Sequence, residues 1–243
     1  MAAASPGAFV LVHGAWHGGW CWREVVEILR TRGQTVTAPT QTGLGERSHL
    51  MSCEIDLATF VADIENHIRF ENLADVVLVG HSFAGTVIAA AAGRLPGRVR
   101  RLVYLDSMLL EGGETPMSRL PEEIAAERMR IAGETSGGLS LPPPPASTFG
   151  IGDPEQQARV DSRLTPHPLR TYLTGLPSAD CRPVAIPADY IVCTDPLYGP
   201  LESSRDLARA AGWPIHDLPT GHDAMVTAPA ALADLLDAIA SGV

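Results

Sequence analysis

The sequence predicts an α/β protein built on a doubly wound, mostly parallel sheet. Three observations carry that prediction. Short apolar, largely β-branched runs alternate with amphipathic helical segments along most of the chain, which means a parallel sheet covered on both faces. One run, Val76-Val77-Leu78-Val79, passes through Gly80-His81-Ser82-Phe83-Ala84-Gly85 directly into a helix-prone stretch from Thr86 to Arg94. The alternation stops only between Ser107 and Pro187. Right-handed crossovers then wind the helices onto both faces.

Taken in order, Ala8 to His13 is a buried strand ending in a turn. Trp22 to Arg32 is a helix with Val25, Ile28 and Leu29 on one face, and Gln34 to Ala38 is the second strand. Leu57, Phe60, Val61, Ile64 and Ile68 recur at helical spacing, so Ile55 to Phe70 is an amphipathic helix. The strand before Gly80 and the helix after it follow. Val99 to Asp106 is the next strand, then Tyr190 to Thr194, a helix near Ser203 to Ala211, and a short strand from Pro214 to Leu218. The last helix has Pro229 in its first turn and Leu232, Leu235, Leu236 and Ile239 on one face. Between Ser107 and Pro187, Glu122 to Ile131 reads as helical, Leu141 to Pro145 as a proline-rich loop, and Pro154 to Leu164 and Pro168 to Leu173 as short helices. The apolar residues of this stretch need a surface to bury against. It is therefore expected to be a helical lid, residues 107–187, on a core formed by residues 1–106 and 188–243.

Composition narrows the function classes. A chain of 243 residues is long enough for one real core with a small lid. A net charge of −10 argues against a nucleic-acid partner, which needs a basic stripe, and against electrostatic attachment to anionic lipid. No apolar run reaches the ~20 residues that span a bilayer, so no membrane insertion is expected. The segment Met1 to Gly7 does not read as a secretory signal. Cys21, Cys53, Cys181 and Cys193 have no metal-ligand spacing and read as free thiols in a reducing cytoplasm. The sequence calls for no metal or cofactor, and a homodimer is compatible with it.

The chemistry-bearing element is Ser82. A serine on a tight strand-to-helix turn is the nucleophile elbow of α/β-hydrolases: the turn lifts the hydroxyl above the sheet and aims the next amide, Phe83, at the same space. The usual pattern is Gly-x-Ser-x-Gly, and this chain has Ala84 at the fifth position, with Gly85 following. A serine hydroxyl needs a base, and the base an orienting acid, in the chain order Ser, Asp or Glu, His. His222, in Thr220-Gly221-His222-Asp223-Ala224-Met225 after the last strand, is the expected base. His216 lies within a strand and His167 in the lid, while His13, His17 and His81 are expected to shape loops. For the acid, Asp195 ends the strand Tyr190 to Thr194 and Asp106 ends the strand before the lid; the first choice is Asp195, with Asp106 the alternative. The amides of Phe83 and Ala15 are the expected oxyanion donors. Trp16, Phe83 and Met225 are expected to line the substrate pocket, with Trp20 and Trp22 packing in the core.

Several segments carry a family resemblance. Phe9-Val10-Leu11-Val12-His13-Gly14-Ala15-Trp16-His17-Gly18-Gly19-Trp20-Cys21-Trp22 resembles the opening of the plant methylesterase and hydroxynitrile lyase group. Thr40-Gln41-Thr42-Gly43-Leu44-Gly45-Glu46-Arg47-Ser48-His49, the elbow, Leu164-Thr165-Pro166-His167-Pro168 and the His222 segment look like bacterial relatives of that group, which include pyrethroid-hydrolysing carboxylesterases. The resemblance implies a six-stranded core with the acid after Tyr190 to Thr194. It also implies an esterase rather than a lyase: cyanohydrin-cleaving members have threonine where this chain has Gly14 and lysine where it has Asp223.

The expected activity is therefore hydrolysis of a small apolar ester through an acyl-enzyme, carried by Ser82, His222 and Asp195. Lactone, thioester or amide hydrolysis is the alternative within enzymes, and a ligand-binding receptor on the same fold is the alternative outside them. The apolar preference rests on finding no Arg or Lys near the elbow, the oxyanion loop or the histidine loop in the sequence.

Overall fold

A computed structural model describes residues 7–176 and 186–242. In chain order the elements are β1 (Ala8–Val12), α1 (Arg23–Thr31), β2 (Thr35–Thr37), α2 (Leu57–Phe70), β3 (Val76–His81), α3 (Ala84–Gly93) and β4 (Val99–Leu105). An insertion follows, with α4 (Glu122–Ser136), β5 (Ser140–Leu141), α5 (Pro154–Asp161), β6 (His167–Pro168) and α6 (Arg170–Leu173). The chain then returns to β7 (Ala188–Cys193), α7 (Glu202–Ala210), β8 (Ile215–Leu218), α8 (Ala224–Thr227) and α9 (Pro229–Ser241).

Six strands form one sheet in the order β2-β1-β3-β4-β7-β8, and every pairing in it is parallel. Alternation at period two divides the core. Val10, Val12, Leu78, Leu102, Tyr104, Tyr190 and Val192 pack with α2 and α3 on one face, while Phe9, Leu11, Val77, Val79, Val103, Leu105 and Ile191 pack with α1 and α9 on the other. This is the α/β-hydrolase fold with a parallel six-stranded core. No helix among the described residues is long and apolar enough to cross a membrane.

The differences from expectation lie in the insertion. Helix α4 runs past Ile131 to Ser136, where Gly137 adopts φ +61° and closes it with a left-handed cap. Helix α5 starts on an Asp153 cap with Pro154 in its first turn and ends at Asp161, three residues before Leu164. Ser140–Leu141 and His167–Pro168 pair as a short antiparallel ribbon, where the sequence suggested a loop and the start of a helix. Cys21, Cys53 and Cys193 are free thiols; Cys181 lies outside the described residues.

Candidate active site

The elbow is built from close approaches that only small residues allow. Ser82 has φ +53° at the junction of β3 and α3, a conformation costly for a residue with a side chain and characteristic of functional turns. It is braced on both sides. Its N–H donates to Leu105 O (3.1 Å), and its carbonyl accepts from the N–H of Met108 (2.8 Å). A Cβ on Gly80 would come within 2.9 Å of Ile88 Cδ1, and one on Gly85 within 2.4 Å of Met108 O. The glycine requirement therefore falls at 80 and 85, which is why Ala84 can stand at the fifth position. The N-terminus of α3, at Ala84, supplies a partial positive charge beside the serine.

His222 reaches Ser82 from the loop after β8. A Cβ on Gly221 would lie 2.6 Å from Gly150 O, and Asp223 N–H donates to Phe149 O (3.2 Å), so the insertion braces the histidine loop. His222 Nε2 lies 2.9 Å from Ser82 Oγ, and His222 Nδ1 lies 2.7 Å from Asp106 Oδ2. An ionised carboxylate can only accept, so Nδ1 carries the proton and Nε2 accepts from the serine hydroxyl. Tyr198 stacks on the imidazole at 4.2 Å. Asp106 is fully buried at φ +38°, its N–H bonded to Ile191 O (2.7 Å). Its second oxygen lies 3.5 Å from Nη1 of the buried Arg205, which also donates to Tyr198 O and Glu202.

The first-choice acid is thereby corrected. Asp195 is exposed, on a turn closed by a bridge between Thr194 and Leu197, while Asp106 holds the histidine. Both strand ends lie near the histidine loop, Asp195 through its N–H, which donates to Thr220 O (3.1 Å), but only the Asp106 carboxylate is buried against His222 Nδ1.

Two histidines position the loop after β1. His13 Nδ1 donates to Gly14 O (2.8 Å), and its Nε2 accepts from Gln41 N–H (3.1 Å). Burial pushes His13 down to about 3, against the bond to Gly14, consistent with a neutral ring. The carbonyl of Gly14 shares a peptide with Ala15 N–H, and in a trans peptide the two point in opposite directions. Among the described residues, neither Ala15 N–H nor Phe83 N–H donates to a protein acceptor. Both residues border the cavity that holds Ser82.

His17 is different. Its Nδ1 faces Ala15 O (2.8 Å) and its Nε2 faces Asp223 Oδ2 (3.0 Å). Both neighbours are acceptors, so both nitrogens must carry protons and the ring is an imidazolium. Burial works against that charge, but the Asp223 carboxylate and the bonds to Asp223 and Ala15 hold His17 above the usual histidine range. Burial likewise pushes Asp223 up, but His17 pulls it below the usual carboxylate range. His81, 2.9 Å from His222 O through Nε2, is driven well down by burial and by the neighbouring His222, and is neutral.

The cavity over Ser82 is a chamber of about 20 Å³, room for about one water molecule. Its walls are Trp16, Phe83, Met108, Leu120, Phe149, Tyr172 and Tyr198, with Arg128 among them. It adjoins an outer groove of about 620 Å³ whose wall includes Pro142 to Pro145. Trp16 lines both, anchored by Nε1–H to Leu141 O (3.1 Å). Met225 does not line the chamber. The short helix α8 turns it into the core beside Leu232 and Leu236, fully buried. Phe149, Tyr172, Tyr198 and Arg128 were not anticipated; their segments lie far from Ser82 in sequence. The expectation that no cation approaches the site is also corrected, because the insertion brings Arg128 to it.

Comparison with known proteins places the chain in a family. The sequence model of the alpha/beta hydrolase family matches residues 9–235. A carbendazim hydrolyzing esterase of Nocardioides sp. (strain SG-4G) is 38% identical over 247 residues, covering 95% of this chain and 98% of that protein. In fold, the chain is similar to an extracellular alpha/beta-hydrolase from a Paenibacillus species, described as sharing structural and functional homology with tobacco salicylic acid binding protein 2 (TM-score 0.83, 23% identity, 95% of this chain and 98% of that one). It is also similar to a pyrethroid hydrolase from Sphingobium faniae JZ-2 (TM-score 0.72, 23% identity, 97% of each chain). The site geometry, the family match and these likenesses lead to one conclusion: this chain is a member of the alpha/beta hydrolase family, among relatives named as esterases.

Proposed function

We propose that the protein is a serine carboxylesterase working through an acyl-enzyme, with Ser82 as nucleophile, His222 as general base and acid, and Asp106 as the group that orients His222. The observation that carries this reading is the unbroken chain of hydrogen bonds from Ser82 Oγ through His222 to the buried Asp106. Ser82 Oγ attacks the ester carbon while His222 Nε2 takes the hydroxyl proton. Asp106 stabilises the imidazolium that forms. The amides of Ala15 and Phe83 donate to the tetrahedral oxyanion, whose charge the N-terminus of α3 also favours. His222 then returns its proton to the departing alcohol as the carbon–oxygen bond breaks. Water repeats the sequence on the acyl-enzyme and frees the acid.

Residues 107–176 act as a lid in this reading, since Leu120, Arg128, Phe149 and Tyr172 come from them to the chamber. A substrate places its small acyl or alcohol group in the chamber and an apolar body in the outer groove, where burial is worth about 25 cal/mol per Å². Cyanohydrin cleavage is not expected. A Cβ at Gly14 would lie 2.9 Å from Ser82 Cβ, leaving no room for a threonine without moving the loop, and Asp223 is committed to His17.

The test is labelling with a serine-reactive phosphonate alongside a steady-state assay on p-nitrophenyl acetate. The adduct should map to Ser82, and Ser82→Ala should lose about 10³-fold or more in kcat while staying folded. An adduct elsewhere, or an active Ser82→Ala, would overturn the mechanism.

A further inference from the structure

Arg128 is a cation placed against the chamber with no counter-ion among the described residues. It projects from α4, and its guanidinium carbon lies 5.2 Å from the Trp16 ring centroid and 5.0 Å from that of Tyr172. Such contacts orient a guanidinium but do not neutralise it. Its Nη1 is buried and has no hydrogen-bond partner among the described residues. On the same helix, Glu127 and Glu134 are held by Arg130. Among the described residues, no aspartate or glutamate lines either the chamber or the outer groove, and Arg128 lines both. An unpartnered buried donor is costly, and a charged one more so. Arg128 lines both cavities, and its guanidinium lies against the Trp16 and Tyr172 rings, so a molecule bound there is in reach to supply the missing partner.

The geometry points to Arg128 as a carboxylate-binding residue, so that the preferred substrate is an ester with an apolar body and a free carboxylate, a hemiester. This rests on the esterase reading and gives its substrate class. The planar fork of arginine matches a carboxylate in a way that lysine does not. The aromatic walls then hold the body, and the carboxylate sets which end of it faces Ser82. The apolar preference read from the sequence is thus refined: the body is apolar, but one anion is accommodated.

The experiment compares methyl esters of phthalic, isophthalic and terephthalic acid carrying one free carboxylate with their neutral carbamoyl counterparts. The wild-type protein should favour at least one hemiester over its amide by about 10-fold or more in kcat/KM. Arg128→Met keeps an apolar stem on Trp16 and Tyr172 and should abolish that ratio; Arg128→Lys should retain part of it. Arg130→Met, on the exposed side of the same helix, should leave the ratio unchanged. Calorimetric binding of benzoate against benzamide is the second readout and needs no turnover. Benzoate should bind more tightly, and Arg128→Met should remove the difference. If the esters are hydrolysed but the ratio is near one, or is unaltered in Arg128→Met, the carboxylate assignment is wrong and the esterase reading stands. If no ester is hydrolysed yet benzoate binding depends on Arg128, the esterase reading fails and the anion site stands.

Discussion

His222 and Asp223 are neighbours in the chain but belong to two different aspartate–histidine pairs. In one, Asp106 holds His222 by Nδ1 and leaves Nε2 facing a serine hydroxyl. In the other, Asp223 holds His17 by Nε2 while Nδ1 faces the carbonyl of Ala15. Both pairs are buried. The difference lies in the last group of each chain of hydrogen bonds. A hydroxyl can give up a proton, so His222 can cycle between neutral and charged. A carbonyl can only accept, so His17 keeps both protons. In the proposed mechanism the same two residue types thus yield a proton carrier in one place and a fixed clamp on the loop that carries Ala15 in the other.

Attacks on the clamp should separate the two roles. The largest loss among the loop-positioning groups is expected at Gly14. An added Cβ meets Ser82 Cβ at 2.9 Å and His81 Nδ1 at 3.0 Å, so Gly14→Ala must displace the loop that carries Ala15. A displacement on the order of 1 Å costs about 10²-fold in rate, and kcat on p-nitrophenyl acetate reads it. Asp223→Asn should cost about 10-fold in kcat but about 3 kcal/mol in stability, because it leaves a buried imidazolium unpaired; urea unfolding of the variant measures the second figure. A larger loss of rate than of stability would mean that Asp223 serves the reaction itself.

Stability against pH sharpens the same contrast. His17 is raised above 6.5, so its contribution is complete below about that value and is lost as pH climbs through its folded pKa. Asp223 is lowered below 3.8, so its contribution is complete above that value and is lost as pH falls through its lowered pKa. The stability gap between the wild type and Asp223→Asn should therefore be widest between about pH 4 and 6.5 and should narrow on the alkaline side. A gap that widens above pH 7 would show that His17 is neutral in the folded protein.

Much of this was legible in the sequence because it depends on local pattern. The four central strands are largely buried, mostly apolar runs, and helices follow or precede each of them. Ser82 is marked by its turn, and His222 by its place after the last strand. The choice between Asp106 and Asp195 was not legible, because both end parallel strands at the same sheet edge. What separates them is burial and partners, which only the folded chain sets: Asp106 is buried between His222 and Arg205, while Asp195 is exposed. Met225 was misplaced because adjacency to His222 says nothing of direction, which the turn of α8 sets. Arg128 sits in a helix with Glu122, Glu123, Glu127, Arg130 and Glu134, a composition that reads as a solvated face. Only the packing of α4 over Trp16 and Tyr172 reveals it at the site.

The most direct test of the account is the assay of Asp106→Asn beside Asp195→Asn, with kcat on one neutral ester and the melting temperature of each. Asp106→Asn should fold and lose about 10⁴-fold, the cost of a histidine held in the wrong tautomer. Asp195→Asn, at an exposed side chain with no hydrogen bond to His222 among the described residues, should stay within about 2-fold of the wild type. Comparable losses in both, or a loss confined to Asp195→Asn, would contradict the assignment of Asp106 as the acid that orients His222.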